Sequence, residues 1–323
     1  MISTADSDGR HPMDTPGLLY KYKSFNNYLL QELCGSESHF ASPSTFNDPL
    51  DSKPSIRDDI ELSHKEQLLK VLCKEYRPKK DPDAVLGNFR YLASENPPEA
   101  QSQYDLFVTT DIWRMLLQEI GRRGVLSLAE RWDCPLMWSH YAQQHQGLCL
   151  AFSTQDSVAR NLMRVRYGTD RAIPLSDLYA WKVDRTPGAR ERVLALAFLS
   201  KAKAWEYERE WRILAENPGS LSAPLRLKGI YFGERCSRAI QTVVVKALHD
   251  AHPAAKFYRV SFDSNAFDLH RHEVDVDEEI QCGICPPVAL SFAKLLDPVL
   301  PSGAIPLSSA ETEPNEGPPH FQR

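Results

Sequence analysis

Between Lys201 and Arg212 the chain reads KAKAWEYEREWR, a short stretch holding three glutamates, three large aromatic rings and several basic side chains. Read as a strand, Glu206, Glu208, Glu210 and Arg212 share one face, and Trp205, Tyr207, Arg209 and Trp211 share the other. Read as a helix, Lys201, Trp205, Glu208 and Arg212 align instead. Either way, carboxylates and a guanidinium crowd one surface beside aromatic rings. Such a surface is either a solvated, salt-bridged face or the seat of a carboxylate whose ionisation and orientation are set by its neighbours. General bases and oxocarbenium stabilisers need the second arrangement.

Other residues with chemistry to offer are scattered. FNDP, with Asn47 and Asp48, is a natural turn because Asn and Asp bond to nearby backbone and proline fixes φ; a role in a site is the alternative. His140 and His145 stand five apart and do not share a helix face, so they are not expected to hold a metal together. A single histidine acting on phosphate or as acid and base is the sharper reading, with His145 favoured because Gly147 lets the backbone bend nearby. Cys282 and Cys285 form a lone CGIC pair, preceded by His270 and His272; two ordinary thiols near a turn are expected there, with structural zinc as the alternative. No metal is expected in the site. Glu206 is read as facing solvent or pairing with Lys203. Arg212 either orients Glu210 or touches a ligand.

The bulk properties narrow the class. The chain has 323 residues, 42% hydrophobic and 25% charged, which suits a soluble globular protein with a sizeable core. A formal charge of -5 argues against adhesion to nucleic acid or anionic membrane through net charge. The first seventeen residues are polar with no apolar signal region, and Val193 to Leu199, the longest strongly apolar run, is far too short to span a membrane. Seven cysteines, odd in number and dispersed, do not form a secreted disulfide framework, so a cytoplasmic location is expected.

The elements that must position these residues follow from periodicity. Residues 1–17 read as a flexible leader and 301–323 as a disordered tail, flanking a single domain over 18–290. Leu18–Phe25 is an aromatic strand, Asn26–Leu33 a helix capped by Asn26 or Asn27, and Ser38–Ala41 a strand. A partly helical insertion is expected over 52–104, with a helix at Ile60–Tyr76 and a polar, proline-punctuated stretch at Pro78–Pro98. A further helix is expected at Ile112–Ile120. Val125–Leu128 and Leu148–Phe152 read as buried strands joined by a short aromatic helix at Met137–Gln144. Leu178–Ala204 reads as mostly helical and Glu210–Ala215 as a strand. Leu225–Phe262 is the clearest unit, a strand–helix–strand, in which Gly233 alone makes no phosphate cradle. The order of elements indicates an α+β domain, a mixed sheet core with flanking helices.

Four segments taken together resemble a known family: LYKYKSF (Leu19–Phe25), FASPSTFNDPLD (Phe40–Asp51), LMWSHYAQQHQGLCLAF (Leu136–Phe152) and Lys201–Arg212. The set is similar to the bacterial family called domain of unknown function 2971, over Leu18 to Asp275. The family's CFS-like strand end is here Leu126-Ser127-Leu128.

More distantly, an aromatic opening strand, a helix, a Ser-rich strand end and a late strand carrying Glu-x-Glu resemble the layout of ADP-ribosyltransferase-like proteins. That likeness implies an ADP-ribosyltransferase-like sheet, NAD as substrate, and a transferase or NAD glycohydrolase of a bacterial defence or toxin-type system. Breaking the nicotinamide–ribose bond develops oxocarbenium character, which a fixed carboxylate stabilises. The resemblance assigns this to Glu210, or to Glu208 two residues earlier on the same strand face. Tyr20, Tyr22 and Trp138 would stack on nicotinamide, Lys21 and Arg212 would bind pyrophosphate, and Ser42 and Asn47 would bond ribose or carboxamide, with His145 at phosphate. The opening strand carries Lys21 and Tyr22 where the best-known members place His or Arg. A nucleotide ligand and a protein or nucleic-acid acceptor follow as partners, with no membrane. The alternatives are a non-catalytic nucleotide- or peptide-binding module, and a metal-dependent nuclease with Asp48, Glu208 and Glu210 as ligands and Lys203 near the phosphate.

Overall fold

The computed structural model describes residues 15–155 and 161–282. In chain order the first half comprises β1 (Leu18–Lys23), α1 (Asn27–Gly35), β2 (Glu37–Phe40), β3 (Ser55–Arg57), α2 (Leu62–Tyr76), α3 (Pro82–Ser94), α4 (Ala100–Gly121), β4 (Gly124–Ala129), α5 (Pro135–Tyr141) and β5 (Leu148–Ser153). The second half continues with β6 (Met163–Arg164), β7 (Arg166–Tyr167), β8 (Ala172–Pro174), α6 (Leu175–Lys182), α7 (Ala189–Phe198), β9 (Ser200–Lys201), β10 (Glu210–Ala215) and β11 (Gly219–Ser222). It closes with β12 (Arg226–Phe232), α8 (Arg238–Leu248), β13 (Lys256–Phe262), β14 (Leu269–Glu273) and α9 (Val276–Cys282). No helix among the described residues is long and apolar enough to cross a membrane.

The fold is α+β, built on an eight-stranded mixed sheet ordered β14-β13-β12-β5-β1-β4-β10-β6. β12 and β13 run parallel, joined by α8, and the other neighbours are antiparallel. Alternation along the strands sorts the two faces. Leu19, Leu128, Leu150, Phe152, Trp211 and Ile230 point one way, into a core closed by Leu29 and Leu33 of α1 and Val244, Val245 and Leu248 of α8. Tyr20, Tyr22, Ala129, Cys149, Ala151 and Tyr231 point the other way, with Met137 and Trp138 of α5 against them. The register carries that second face on to β10, because Glu210 pairs with Ala129 and Ala129 with Tyr20. A separate core gathers α2, α3, α4, α6 and α7 around Leu68, Leu72, Ile112, Leu116, Leu178 and Phe198.

Several local expectations hold in detail. Asn26 caps α1, accepting from Leu29 N at 2.9 Å. The strand–helix–strand unit is β12–α8–β13, with Ser237 as the helix cap. Others are corrected. Pro78–Pro98 contains a full helix, α3, because Pro82 sits in its first turn, where no backbone donor is needed, and Asp81 caps it by accepting from Asp83 N. α4 begins at Ala100, well before Ile112. Leu178–Ala204 breaks into α6 and α7 around Arg185 and Gly188, both with positive φ, and α7 ends at Phe198, where β9 follows. Of the CGIC pair, Cys285 lies outside the described residues, as do residues 1–14 and the tail from 283; upstream, His270 pairs with Asp263 at 2.7 Å and His272 bonds Ser261 at 3.0 Å.

Gly233 has a role that its sequence context did not disclose. A methyl group there would lie 2.1 Å from the carbonyl oxygen of His145 and 2.7 Å from its carbon, so two backbone segments touch where only glycine fits. The contact is stitched by Gly233 N donating to Gly147 O and Arg235 N donating to His145 O, each at 3.0 Å. Gly233→Ala is expected to cost about 3 kcal/mol, the upper end of overpacking penalties, because backbone rather than a movable side chain stands in the way. Urea unfolding measures this, and a midpoint equal to wild type would refute the close approach.

Candidate functional site

The segment Lys201–Arg212 is neither one strand nor one helix. Lys201 ends β9, which pairs with β7; residues Lys203–Glu208 then form a 3-10 turn, Arg209 adopts a left-handed conformation (φ 44°), and β10 starts at Glu210. Glu208 is therefore not on the strand face with Glu210, as alternation had suggested. The tight turn and the left-handed residue swing its carboxylate inward, while Glu206 stays exposed and pairs with Lys203 at 2.7 Å. On β10 itself, alternation does hold Glu210 and Arg212 on one side and Trp211 on the other.

A second segment meets them from far away in sequence. Asp48 is a turn residue: its Oδ1 accepts from Leu50 N at 2.8 Å, and its carbonyl accepts from Asp51 N. That turn delivers Asp51 to Arg212, whose Nη1 and Nη2 donate to the two Asp51 oxygens at 2.9 and 2.6 Å. Nε and Nη2 of Arg212 donate to Glu210 at 2.7 and 2.9 Å, and Nη1 also donates to Phe198 O at 2.7 Å. All five guanidinium N–H groups are thereby engaged in a side chain 1% exposed. Lys201 Nζ completes the cluster, donating to Glu208 and, at 3.1 Å, to Glu210, with Asp51 at 3.5 Å.

Three buried carboxylates thus face two buried cations, leaving one negative charge in excess. The carboxylates respond unequally. Burial alone would raise Glu210, but Arg212 and Lys201 hold it well below the usual carboxylate range, helped by a hydrogen bond from Ser127. Glu208 is raised, because burial outweighs the pull of Lys201 and Glu210 repels it. Of the two glutamates, Glu208 is therefore the one that holds its charge less firmly. Burying charge costs several kcal/mol per ion even when paired, so such a cluster marks either a specificity device or a working site.

Glu208 also has the way out to the surface. Its Oε1 accepts from Tyr141 OH at 2.6 Å, and that hydroxyl in turn accepts from the exposed Asn47 Nδ2 at 3.0 Å. Half-buried rings gather there: Trp205 lies under Lys201 Nζ at 5.2 Å, Tyr207 is 6.0 Å from Trp205, and the exposed His140 contacts both Tyr141 and Trp205. The site is a rim of aromatic rings and an amide above a charged floor.

Of the residues expected from sequence, the structure brings together Glu208, Glu210, Arg212 and Asn47. Asp51, Lys201 and Tyr141 join them without having been assigned a role, although Asp51 closes the FNDPLD segment and Lys201 opens the other. The expected aromatic platform is displaced. Trp138 is fully buried and donates to Trp132 O at 2.6 Å, Tyr22 packs edge-on against it, and Tyr20 packs edge-on against Tyr231; Tyr141, Trp205 and Tyr207 line the rim instead. Arg212 has no donor left for pyrophosphate. Ser42 caps the short turn Pro43–Thr45. Lys21 reaches between β1 and β4, which share the register pair Tyr20↔Ala129, and donates to Ser127 O at 2.9 Å; burial there, with Lys23 beside it, lowers its pKa to about 7. The nuclease ligand set does not assemble, since Asp48 is spent on its turn and Lys201 bridges Glu208 and Glu210. Among the described residues no three His, Cys, Asp or Glu side chains are placed to share a metal ion.

His145 sits apart from the rim. It closes a run of three left-handed residues, Gln143, Gln144 and His145, which take the bend that Gly147 had been expected to provide. Its ring lies between Trp138 and Phe262, with Nδ1 buried and without a hydrogen-bond partner. Burial, with the Arg235 charge, lowers its pKa from 6.5. The unfolded chain therefore binds more protons around and below pH 6.5, and stability falls as pH drops through that value toward the folded pKa. Unfolding midpoints between pH 8 and 5 should fall less steeply in His145→Asn, which tolerates the left-handed backbone, than in wild type. Parallel curves would remove this account.

The model of the family described as "Protein of unknown function (DUF2971)" matches residues 137–213. The match takes in all of the MWSHYAQQHQGLCLAF segment and all of Lys201–Arg212, hence Tyr141, Lys201, Glu208, Glu210 and Arg212. The two earlier segments lie outside it, and the second of them, Phe40–Asp51, contributes Asn47 and Asp51. No curated protein and no solved structure matches the chain.

Proposed function

We propose that the chain cleaves the nicotinamide–ribose bond of NAD, as an NAD glycohydrolase or an ADP-ribosyltransferase with a macromolecular acceptor, in a bacterial defence or toxin-type setting. The observation that carries this reading is the cluster of three buried carboxylates against two buried cations, one negative charge in excess, with Glu208 linked through Tyr141 to a rim of half-buried rings. A site with that charge favours a substrate that becomes, or already is, positive at the reacting centre. NAD fits: its pyridinium is cationic, and its C1′ gains oxocarbenium character as the bond to nitrogen breaks. Nicotinamide leaves with the bonding electron pair and becomes neutral. Water or an acceptor oxygen attacks C1′, and its proton passes to the Glu208 carboxylate and on to solvent.

The other residues then have supporting tasks. Tyr141, Trp205 and Tyr207 offer faces for the nicotinamide ring, and the Asn47 amide suits a carboxamide or a ribose hydroxyl. Lys201 and Glu210 position Glu208; Arg212 and Asp51 fix Glu210. Substrate entry requires the Asn47–Tyr141 contact to open. A non-catalytic nucleotide-binding module is the second reading, favoured by the full engagement of the Glu210 oxygens with Arg212 and Lys201.

The test is nicotinamide release from NAD by the purified chain, with and without cell lysate as a source of acceptor. Release supports the proposal. Saturable NAD binding without release would favour the binding module, and neither binding nor release would end the NAD reading.

A further inference from the structure

We propose a second ligand site in the helical layer, a cleft that takes a nucleoside monophosphate; it does not depend on NAD cleavage. Between α2, α3 and α4 lies a cavity of about 580 Å³. That volume falls within the range of small-molecule sites, which runs from about 300 to 1,000 Å³. Three cations line it from three separate segments: Arg77 at the end of α2, Lys80 in the turn that follows, and Arg114 on α4.

The cations are not spent on one another's carboxylates. Arg77 is anchored by Asp111 through two parallel hydrogen bonds of 2.7 and 2.9 Å, which use two of its five N–H groups and fix the plane of the rest. Among the described residues, neither Lys80 nor Arg114 has a carboxylate partner. Asp81, the other acid in the lining, caps α3. Convergence of an oriented guanidinium, a second guanidinium and an ammonium is the chemistry that recognises a phosphate with several oxygens.

The opposite wall is of another kind. Val85 and Phe89 of α3 present apolar surface, and Phe89 is held by Phe107 with ring centroids 6.0 Å apart. Asn88, exposed beside them, supplies both a donor and an acceptor for a base edge. An anion end and a ring end in one cleft suit a nucleotide rather than a bare phosphate or an acidic peptide.

Equilibrium dialysis or calorimetry on the full chain with AMP, adenosine and inorganic phosphate tests the site. AMP should bind saturably, adenosine and phosphate at least tenfold more weakly. Arg114→Glu and Lys80→Ala, both at exposed positions, should each weaken AMP at least tenfold while far-UV circular dichroism stays that of wild type. Glu208→Gln should leave AMP affinity within twofold, which separates this cleft from the charged cluster. Absence of saturable AMP binding, binding indifferent to Arg114→Glu, binding lost in Glu208→Gln, or phosphate alone binding as tightly as AMP would each overturn the proposal.

Discussion

Replacing Arg212 with methionine should cost about 3–5 kcal/mol of folding stability, the penalty for breaking a buried ion pair by removing one partner. The side chain is 1% exposed and its five donors serve Asp51, Glu210 and the Phe198 carbonyl. Methionine fills much of the volume but leaves two carboxylates facing each other with Lys201 as the remaining cation. The carboxylates would then take up protons, so the loss should shrink as pH falls toward their unfolded pKa values. Arg212→Lys should recover little, because one ammonium cannot make two bidentate pairs. Adding Asp51→Asn to Arg212→Met should restore part of the loss by removing one of the stranded charges. Urea or thermal unfolding of the three variants decides the matter. A methionine variant as stable as wild type at pH 7 would show that the cluster does not depend on its guanidinium.

Glu208→Gln, in contrast, should abolish most turnover without weakening the fold. Its amide still accepts from Lys201 and can meet Tyr141, and the substitution removes the charge that the cluster holds in excess. The melting temperature should therefore match or exceed that of wild type. If Glu208 stabilises positive charge at C1′, kcat for nicotinamide release should drop by about 10²–10³, the effect of removing one preorganised electrostatic group, with KM little changed. Glu210→Gln should show the reverse balance. It strips a partner from both Arg212 and Lys201, so stability falls first and activity falls with it. Equal catalytic loss in both variants at equal stability would return the ribose role to Glu210. Full turnover in Glu208→Gln would remove the carboxylate mechanism.

The matched residues 137–213 contain both parts of the site that lie close in sequence, the Tyr141 segment and the Lys201–Arg212 segment. Their meeting depends on Tyr141 of α5 and Tyr207 of the 3-10 turn packing against the same face of the sheet. Asn47 and Asp51 arrive through a turn whose own geometry Asp48 fixes, so the turn and the site readings of FNDPLD are parts of one arrangement.

What the amino-acid sequence determines here is local and periodic. Alternation in EWRILA places Glu210 and Arg212 on one face of β10, Asn26 caps α1, and the apolar spacing of residues 225–262 yields a strand, a helix and a strand. Each of these follows from neighbours a few positions apart, where backbone period and hydrogen-bonding capacity decide the outcome. Tertiary structure decided the rest. Aromatic type alone could not tell Tyr22 and Trp138, buried where α5 packs on β1, from Tyr141, Trp205 and Tyr207 at the rim, because burial depends on what packs against a face. Nor could alternation place Glu208, whose direction was set by a 3-10 turn and the left-handed Arg209. Asp51 meets Arg212 across 161 positions of sequence, and no local rule reaches that far. Buried charge supplies the reason for the pairing: a guanidinium taken out of water must find acceptors for all its donors, and the fold supplies them from wherever the chain returns.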